Sequence, residues 1–152
     1  MDKMKKRILV VDDEALITES ISSILQSTGL YDVETTTDAY EAFDRASVMP
    51  FDLVISDLLM PGMNGDTLYL CLGVNPDDHK KIVPRPKLLL MSGVADELSM
   101  KKKRKFIGAA GMLQKPFTSE TLLRRVHKLL WGEQAMESDT IWRRLRNGLV
   151  VT

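Results

Sequence analysis

Five side chains define the chemistry open to this chain: the carboxylates Asp12, Asp13 and Asp57, the hydroxyl of Ser92 and the ammonium of Lys115. Each closes a short strand-like run: Ile8–Val11, Leu53-Val-Ile-Ser56, Lys87–Met91 and Gly111–Gln114, in that order. Brought together, three carboxylates repel one another, which raises at least one pKa and opposes clustering. A hard divalent cation removes that conflict, and carboxylate oxygens with water suit the octahedral demand of Mg²⁺. Lys115 adds a positive charge and Ser92 a hydroxyl. The set then makes a receptacle for a dianionic phosphoryl group, with a carboxylate placed to attack phosphorus. Taken singly, an aspartate after a strand is usually a turn or cap residue, and Ser92-Gly93 or Lys115-Pro116 usually just a turn. Turn chemistry does not explain why all of them fall at successive strand ends.

The elements that must position these groups are written in the apolar pattern. Ile8–Val11 reads as a strand buried on both faces. Ile17, Ile21, Ile24 and Leu25 then recur at helical spacing, with Thr18, Glu19, Ser22 and Gln26 on the polar side and Gly29 placed to close the helix. Val33–Thr36 is a second strand. Asp38 and Glu41 stand in capping-box spacing before a helix that buries Ala39, Ala42, Phe43 and Ala46. After Leu53–Ser56, Met60-Pro61-Gly62 breaks the chain and a short helix spans about Gly65 to Leu72. Asn75–Pro86 reads as a loop, Lys87–Met91 as a strand, Asp96–Ala109 as a basic helix and Gly111–Gln114 as the last strand. Thr118 is the N-cap of a final helix with Leu122, Val126, Leu129 and Leu130 on one face. Five strands alternating with five helices predict an α/β, doubly wound parallel sheet with right-handed crossovers and helices on both faces. In such sheets ligands collect beyond the carboxyl ends of the strands, where the five side chains stand.

At this point the chain resembles the receiver domain of two-component response regulators, the CheY-like family. The matching residues are Ile8-Leu-Val-Val-Asp-Asp-Glu14, Asp57-Leu-Leu-Met-Pro-Gly62 with Gly65, Met91-Ser-Gly93 and Lys115-Pro-Phe117, within residues 5–131. The resemblance implies a flavodoxin-like sheet of strand order 2-1-3-4-5. It implies that Asp57 accepts a phosphoryl group from a phosphohistidine, forming an acyl phosphate. Asp13 and Asp57 would bind Mg²⁺ directly, Asp12 through water, and the Leu59 carbonyl would be a further ligand. Ser92 and Lys115 would contact the phosphoryl oxygens. Catalysis is then positioning and charge neutralisation around a loose transition state. The family's switch pairs the Ser/Thr, here Ser92, with an inward-turning aromatic three residues before the lysine. Here that position is Met112, a flexible thioether able to fill a vacated pocket.

Composition bounds the rest. The 152 residues suit one domain, and 44% hydrophobic residues suffice for a core. Lys+Arg and Asp+Glu both number 21, so bulk charge gives no general attraction to nucleic acid or anionic membrane. The single cysteine, Cys71, excludes an internal disulfide framework and reads as a helix residue near the core. No apolar run is long enough to span a bilayer or to act as a secretory signal, so the expected location is the cytoplasm. Lys101-Lys-Lys-Arg-Lys105 spreads around a helix and reads as a solvated surface, with a docking surface for an acidic partner as the alternative; His79 and His127 read as surface histidines. Residues 132–152 read as a C-terminal tail in which Ile141, Trp142, Leu145 and Leu149 recur at the spacing of a short amphipathic helix.

The resulting expectation is a single-domain response regulator, a phosphorylation-dependent switch or phosphorelay intermediate. It would be no enzyme beyond its own Mg²⁺-dependent phosphorylation and dephosphorylation. Its partners would be a sensor histidine kinase or histidine phosphotransfer protein. A downstream protein would dock on the face of the fourth helix, fifth strand and fifth helix, with no direct nucleic acid binding. The protein would be a monomer or a phosphorylation-dependent dimer; the amino-terminal piece of a larger regulator is the other possibility. The alternative from another class is an aspartate-nucleophile phosphatase of haloacid-dehalogenase type. That family needs an acid two residues after the nucleophile, where this chain has Leu59. The resemblance to receivers further implies that the residues two beyond Asp57 and two beyond Ser92 border the approach of hydrolytic water; here these are Leu59 and Val94, both apolar, which predicts a long-lived acyl phosphate.

Overall fold

Alternate residues of the central strands point to opposite sides of one sheet, and helices cover both sides. The computed structural model describes residues 5–72, 83–93 and 108–132. Along the chain run β1 (Lys6–Val11), α1 (Ala15–Gln26), β2 (Tyr31–Thr36), α2 (Ala39–Val48), β3 (Leu53–Asp57) and α3 (Gly65–Leu72). β4 (Lys87–Ser92), β5 (Gly111–Gln114) and α4 (Ser119–Trp131) follow. The sheet order is β2-β1-β3-β4-β5 with every pairing parallel, as the flavodoxin-like expectation requires.

Period-two alternation decides which residues meet which helices. Ile8, Val10, Leu53, Ile55, Leu89 and Met91 face α1 and α4; Leu9, Val11, Val54, Leu88 and Leu90 face α2 and α3. All of these strand residues are essentially inaccessible to water. Burying each large aliphatic side chain contributes roughly 1.5–3 kcal/mol, so the sheet is a rigid base for whatever stands at its ends.

The helix starts use the caps the sequence offers. The Asp38 carboxylate accepts from Tyr40 N–H at 2.9 Å, and the Thr118 hydroxyl accepts from Thr121 N–H at 3.1 Å. Glu41 does not complete a capping box. Its carboxylate accepts from the Thr36 hydroxyl at 3.0 Å and pairs with Arg45, tying α2 to the end of β2. Gly29 lies at φ +71 just past α1, in the left-handed region that favours glycine.

Two assignments of faces change. Thr18 is buried, because its hydroxyl donates to the Ala15 carbonyl at 2.9 Å and so needs no water. His127 is not a surface histidine. It is fully buried, with Nδ1 3.4 Å from the Tyr31 hydroxyl and its ring tilted against Trp131. Cys71 is half-buried on α3. Most of the Asn75–Pro86 loop, His79, Val94, nearly all of the expected fourth helix over Asp96–Ala109 with its Lys101–Lys105 run, and the tail beyond Gly132 lie outside the described residues, so α4 here is the fifth helix expected from the sequence.

Candidate functional site

Register carries the carboxylates to one place. Val11 pairs with Ser56, so Asp12 and Asp57 follow side by side at the ends of β1 and β3. Asp57 pairs with Met91 and Ser92 with Gln114, which sets Ser92 and then Lys115 at the next two strand ends. Backbone bonds continue the ladders past the strands: Leu58 N–H donates to the Met91 carbonyl at 2.8 Å and Lys115 N–H to the Ser92 carbonyl at 2.7 Å.

The residues at these strand ends are graded in exposure. The Asp12 side chain is fully buried, Asp57 is 14% exposed and Lys115 20% exposed, while Asp13 stands at the open rim. One carboxylate oxygen from each of Asp12, Asp13 and Asp57 lies within 4.8 Å of the others, close enough to share one cation. Asp12 is held on both oxygens: one accepts from Glu14 N–H at 2.9 Å, the other from Lys115 Nζ at 2.7 Å. Lys115 Nζ also stands 3.4 Å from an Asp57 oxygen. The lysine thus bridges two carboxylates from two strands.

Electrostatics follow that geometry. Burial, with the charges of Asp12 and Asp13, raises the Asp57 pKa above the ordinary carboxylate value, and Lys115 opposes the rise. Burial pulls Lys115 down, but its bond to Asp12 and the charges of Asp12 and Asp57 outweigh this, so its ammonium is held more firmly than usual. The donor set is hard, oxygen-only and short of positive charge, which fits Mg²⁺ rather than a softer metal.

These features decide the family. A family model for the response regulator receiver domain matches residues 8–127. The chain belongs to the response regulator receiver family. Among curated relatives, the receiver is 32% identical over 130 residues to "DNA-binding response regulator MtrA" of Mycobacterium tuberculosis H37Rv, covering 86% of this chain and 53% of that protein. It is 30% identical over 133 residues to "Hybrid signal transduction histidine kinase D" of Dictyostelium discoideum, covering 88% of this chain and 8% of the relative. Among solved structures it is similar to the chemotaxis response regulator CheY4 of Vibrio cholerae, with TM-score 0.71 and 31% identity, over 84% of this chain and all of that one. The receiver spans about half the length of the first DNA-binding relatives it matches.

The receiver brings together Asp12, Asp13, Asp57 and Lys115 by side-chain contact or proximity, and sets Ser92, buried, at the adjoining strand end. Leu59, whose carbonyl is the further expected ligand, is 55% exposed on the loop after β3. Met112 is half-buried in β5 against the core on the α2/α3 side, and its carbonyl accepts from Arg125 at 3.0 Å. Two residues that shape the loop carry weaker sequence signals. Gly65 sits so close to β3 that a Cβ there would lie 2.3 Å from the Asp57 carbonyl oxygen. Only a glycine lets α3 begin there without displacing the strand end that carries Asp57. Asn64, which the sequence reading did not single out, has its side-chain oxygen on Met60 N–H at 3.2 Å.

Proposed function

We propose that this receiver is a phosphorylation switch whose phosphoacceptor is Asp57. The observation that carries the reading is the Lys115 ammonium bridging Asp12 and Asp57 within a group of three carboxylates. A cation beside a recessed carboxylate is what an incoming phosphoryl group requires. The Asp57 carboxylate oxygen forms the new P–O bond as the P–N bond of a phosphohistidine breaks, and the histidine leaves as imidazole. Lys115 then turns from the aspartates to the phosphoryl oxygens, and Ser92 supplies a hydroxyl to the same group. Asp13 and Asp57, with the Leu59 carbonyl, would hold Mg²⁺, and Asp12 would act on it through water. Bound there, Mg²⁺ supplies charge neutralisation for the carboxylates and the transferring group.

The donor in this reading is a sensor histidine kinase or a histidine phosphotransfer protein. An apolar hollow of about 390 Å³ beside Lys115, lined by Ile17, Ile21, Ile24, Pro116 and Phe117 among others, supports docking of a helical donor next to the acceptor. Output follows from a shift between two pre-existing conformations, with Ser92 and Met112 as the coupled positions and the face of β5 and α4 as the surface read by a downstream protein. The chain is then no enzyme toward other substrates, and works as a monomer or a phosphorylation-dependent dimer in the cytoplasm. The mass of the native polypeptide in cells separates a stand-alone switch from one part of a larger regulator. No helix among the described residues is long and apolar enough to cross a membrane.

The decisive experiment is incubation with acetyl phosphate and Mg²⁺, followed by intact-mass measurement and peptide mapping. One base-labile, hydroxylamine-sensitive phosphoryl group on Asp57, absent in Asp57→Asn, is the expected result. Labelling of Asp57→Asn at the parent rate overturns the assignment.

A further inference from the structure

Asn64 stands immediately before α3, where an asparagine normally accepts from an N–H of the helix's own first turn. Its side chain does something else. The oxygen accepts from Met60 N–H, four residues back, at 3.2 Å, while the first-turn N–H of Thr67 goes to the Asp66 carboxylate at 2.9 Å. The Asn64 backbone carbonyl still accepts from Leu68 N–H at 2.9 Å, so the residue starts the helix with its main chain and grips the loop with its side chain.

Met60 N–H belongs to the same peptide plane as the Leu59 carbonyl. That plane is trans, since the cis peptide among the described residues is Lys115–Pro116. In a trans peptide the N–H and the C=O point in opposite directions. Fixing Met60 N–H toward Asn64 therefore fixes the Leu59 carbonyl away from Asn64. The rest of the loop allows little freedom to undo this. Gly65 N–H closes it onto the Leu58 carbonyl at 2.9 Å, Met63 N–H meets the Pro61 carbonyl at 3.0 Å, and Tyr40 lies over Gly62. A hydrogen bond on the N–H also draws electron density toward the carbonyl oxygen, which makes it a better ligand.

We propose that Asn64 is a positioning residue for the metal site: its hydrogen bond to Met60 N–H aims and polarises the Leu59 carbonyl. The inference rests on the reading of Asp12, Asp13 and Asp57 as a Mg²⁺ site with that carbonyl as a further ligand. It assigns Asn64 no contact with metal or phosphoryl group.

The test is calorimetric titration of the full chain with MgCl₂, alongside thermal unfolding in metal-free buffer. Asn64→Ala removes the acceptor and is expected to weaken Mg²⁺ binding by roughly tenfold, the low end for an outer-shell partner of a metal ligand. Asn64→Asp keeps an acceptor oxygen at the same reach and is expected to bind within about threefold of the parent. Amide exchange at Met60 should quicken in Asn64→Ala and stay slow in Asn64→Asp. A dissociation constant for Asn64→Ala equal to that of the parent overturns the proposal. So does weakened binding in both variants together with an equal fall in the metal-free midpoint, since that marks Asn64 as structural only. Absence of Mg²⁺ binding by the parent, or unaltered binding by Asp13→Ala, removes the underlying site reading, which the Asn64 variants by themselves do not.

Discussion

The two ends of the sheet treat buried ionisable groups in opposite ways. At the carboxyl ends, Asp12 is sealed from water yet sits against Lys115, and Asp57 and Asp13 open toward solvent around it. At the amino ends, His127 is sealed beneath α4 beside Tyr31, the first residue of β2, with Trp131 Nε1 donating to the Tyr31 hydroxyl at 3.2 Å. There the His127 Nε2 has no partner among the described residues. Burial lowers the His127 pKa and raises that of Tyr31, so both stay neutral. Charge is kept where a countercharge and an opening exist, and suppressed where neither does. A polar residue on an inward face is therefore no sign of a site; a charged one that keeps a compensating partner and a path to solvent is.

The largest expected effect is at the charged end. Asp57→Asn should abolish phosphoryl labelling altogether, measured by intact mass, while preserving the fold. It should also raise the melting midpoint in metal-free buffer. The folded-state pKa of Asp57 is raised, so its ionised form opposes folding above that pKa and the penalty is relieved as pH falls through it. Metal-free parent protein should show that gain on acidification; Asp57→Asn should not.

Next comes Asp13→Ala, which should weaken Mg²⁺ by more than about tenfold in calorimetry, since a charged ligand is lost outright. The same change should stabilise the metal-free fold by on the order of 1 kcal/mol, the scale of a like-charge contact at about 5 Å partly exposed to water. Unaltered Mg²⁺ affinity would remove Asp13 from the ligand set.

A smaller effect is expected on the loop after β3. Leu59 offers no polar group to hold an attacking water, so Leu59→Asn should shorten the acyl-phosphate lifetime about tenfold at saturating Mg²⁺. Phosphoprotein decay followed by gel or mass would check it; decay at the parent rate means that water access there is not limiting.

The smallest effect sharpens the other side of the contrast. The depressed pKa of His127 means its neutral form contributes stability fully present above the unfolded value near 6.5, and lost as pH falls from there toward the lower folded value. His127→Phe should remove that component of acid sensitivity, so the midpoints of parent and variant should diverge below about pH 6.5. At pH 7.5 the variant should be within about 1 kcal/mol of the parent, because the ring it replaces has an orphaned nitrogen. Parallel pH profiles would show that His127 takes up its proton without unfolding cost.

Much of this protein was legible in its sequence because the signals are local. Short apolar runs leading to Asp12, Asp57 and Ser92 mark strands by composition and strand ends by where polarity begins, and Asp38 and Thr118 announce helices through a bond spanning two or three residues. The motif order around Asp57 and Lys115 pointed to the family for the same reason. Tertiary structure decided whatever depends on partners far along the chain. Lys115 meets Asp12 across 103 residues, and His127 meets Tyr31 across 96. The helical pattern of α4 showed Leu122 and Val126 facing inward, but how wide a face β2 and Trp131 would cover is set by the sheet's order, and His127 falls inside it. Asn64 followed the same logic. The sequence reading passed over it, because its side-chain bond runs back to Met60 N–H in a loop closed by Gly65 N–H on the Leu58 carbonyl. Local pattern specifies elements because their hydrogen bonds are short-range; side-chain partners wait on which strands lie next to each other, and in what register.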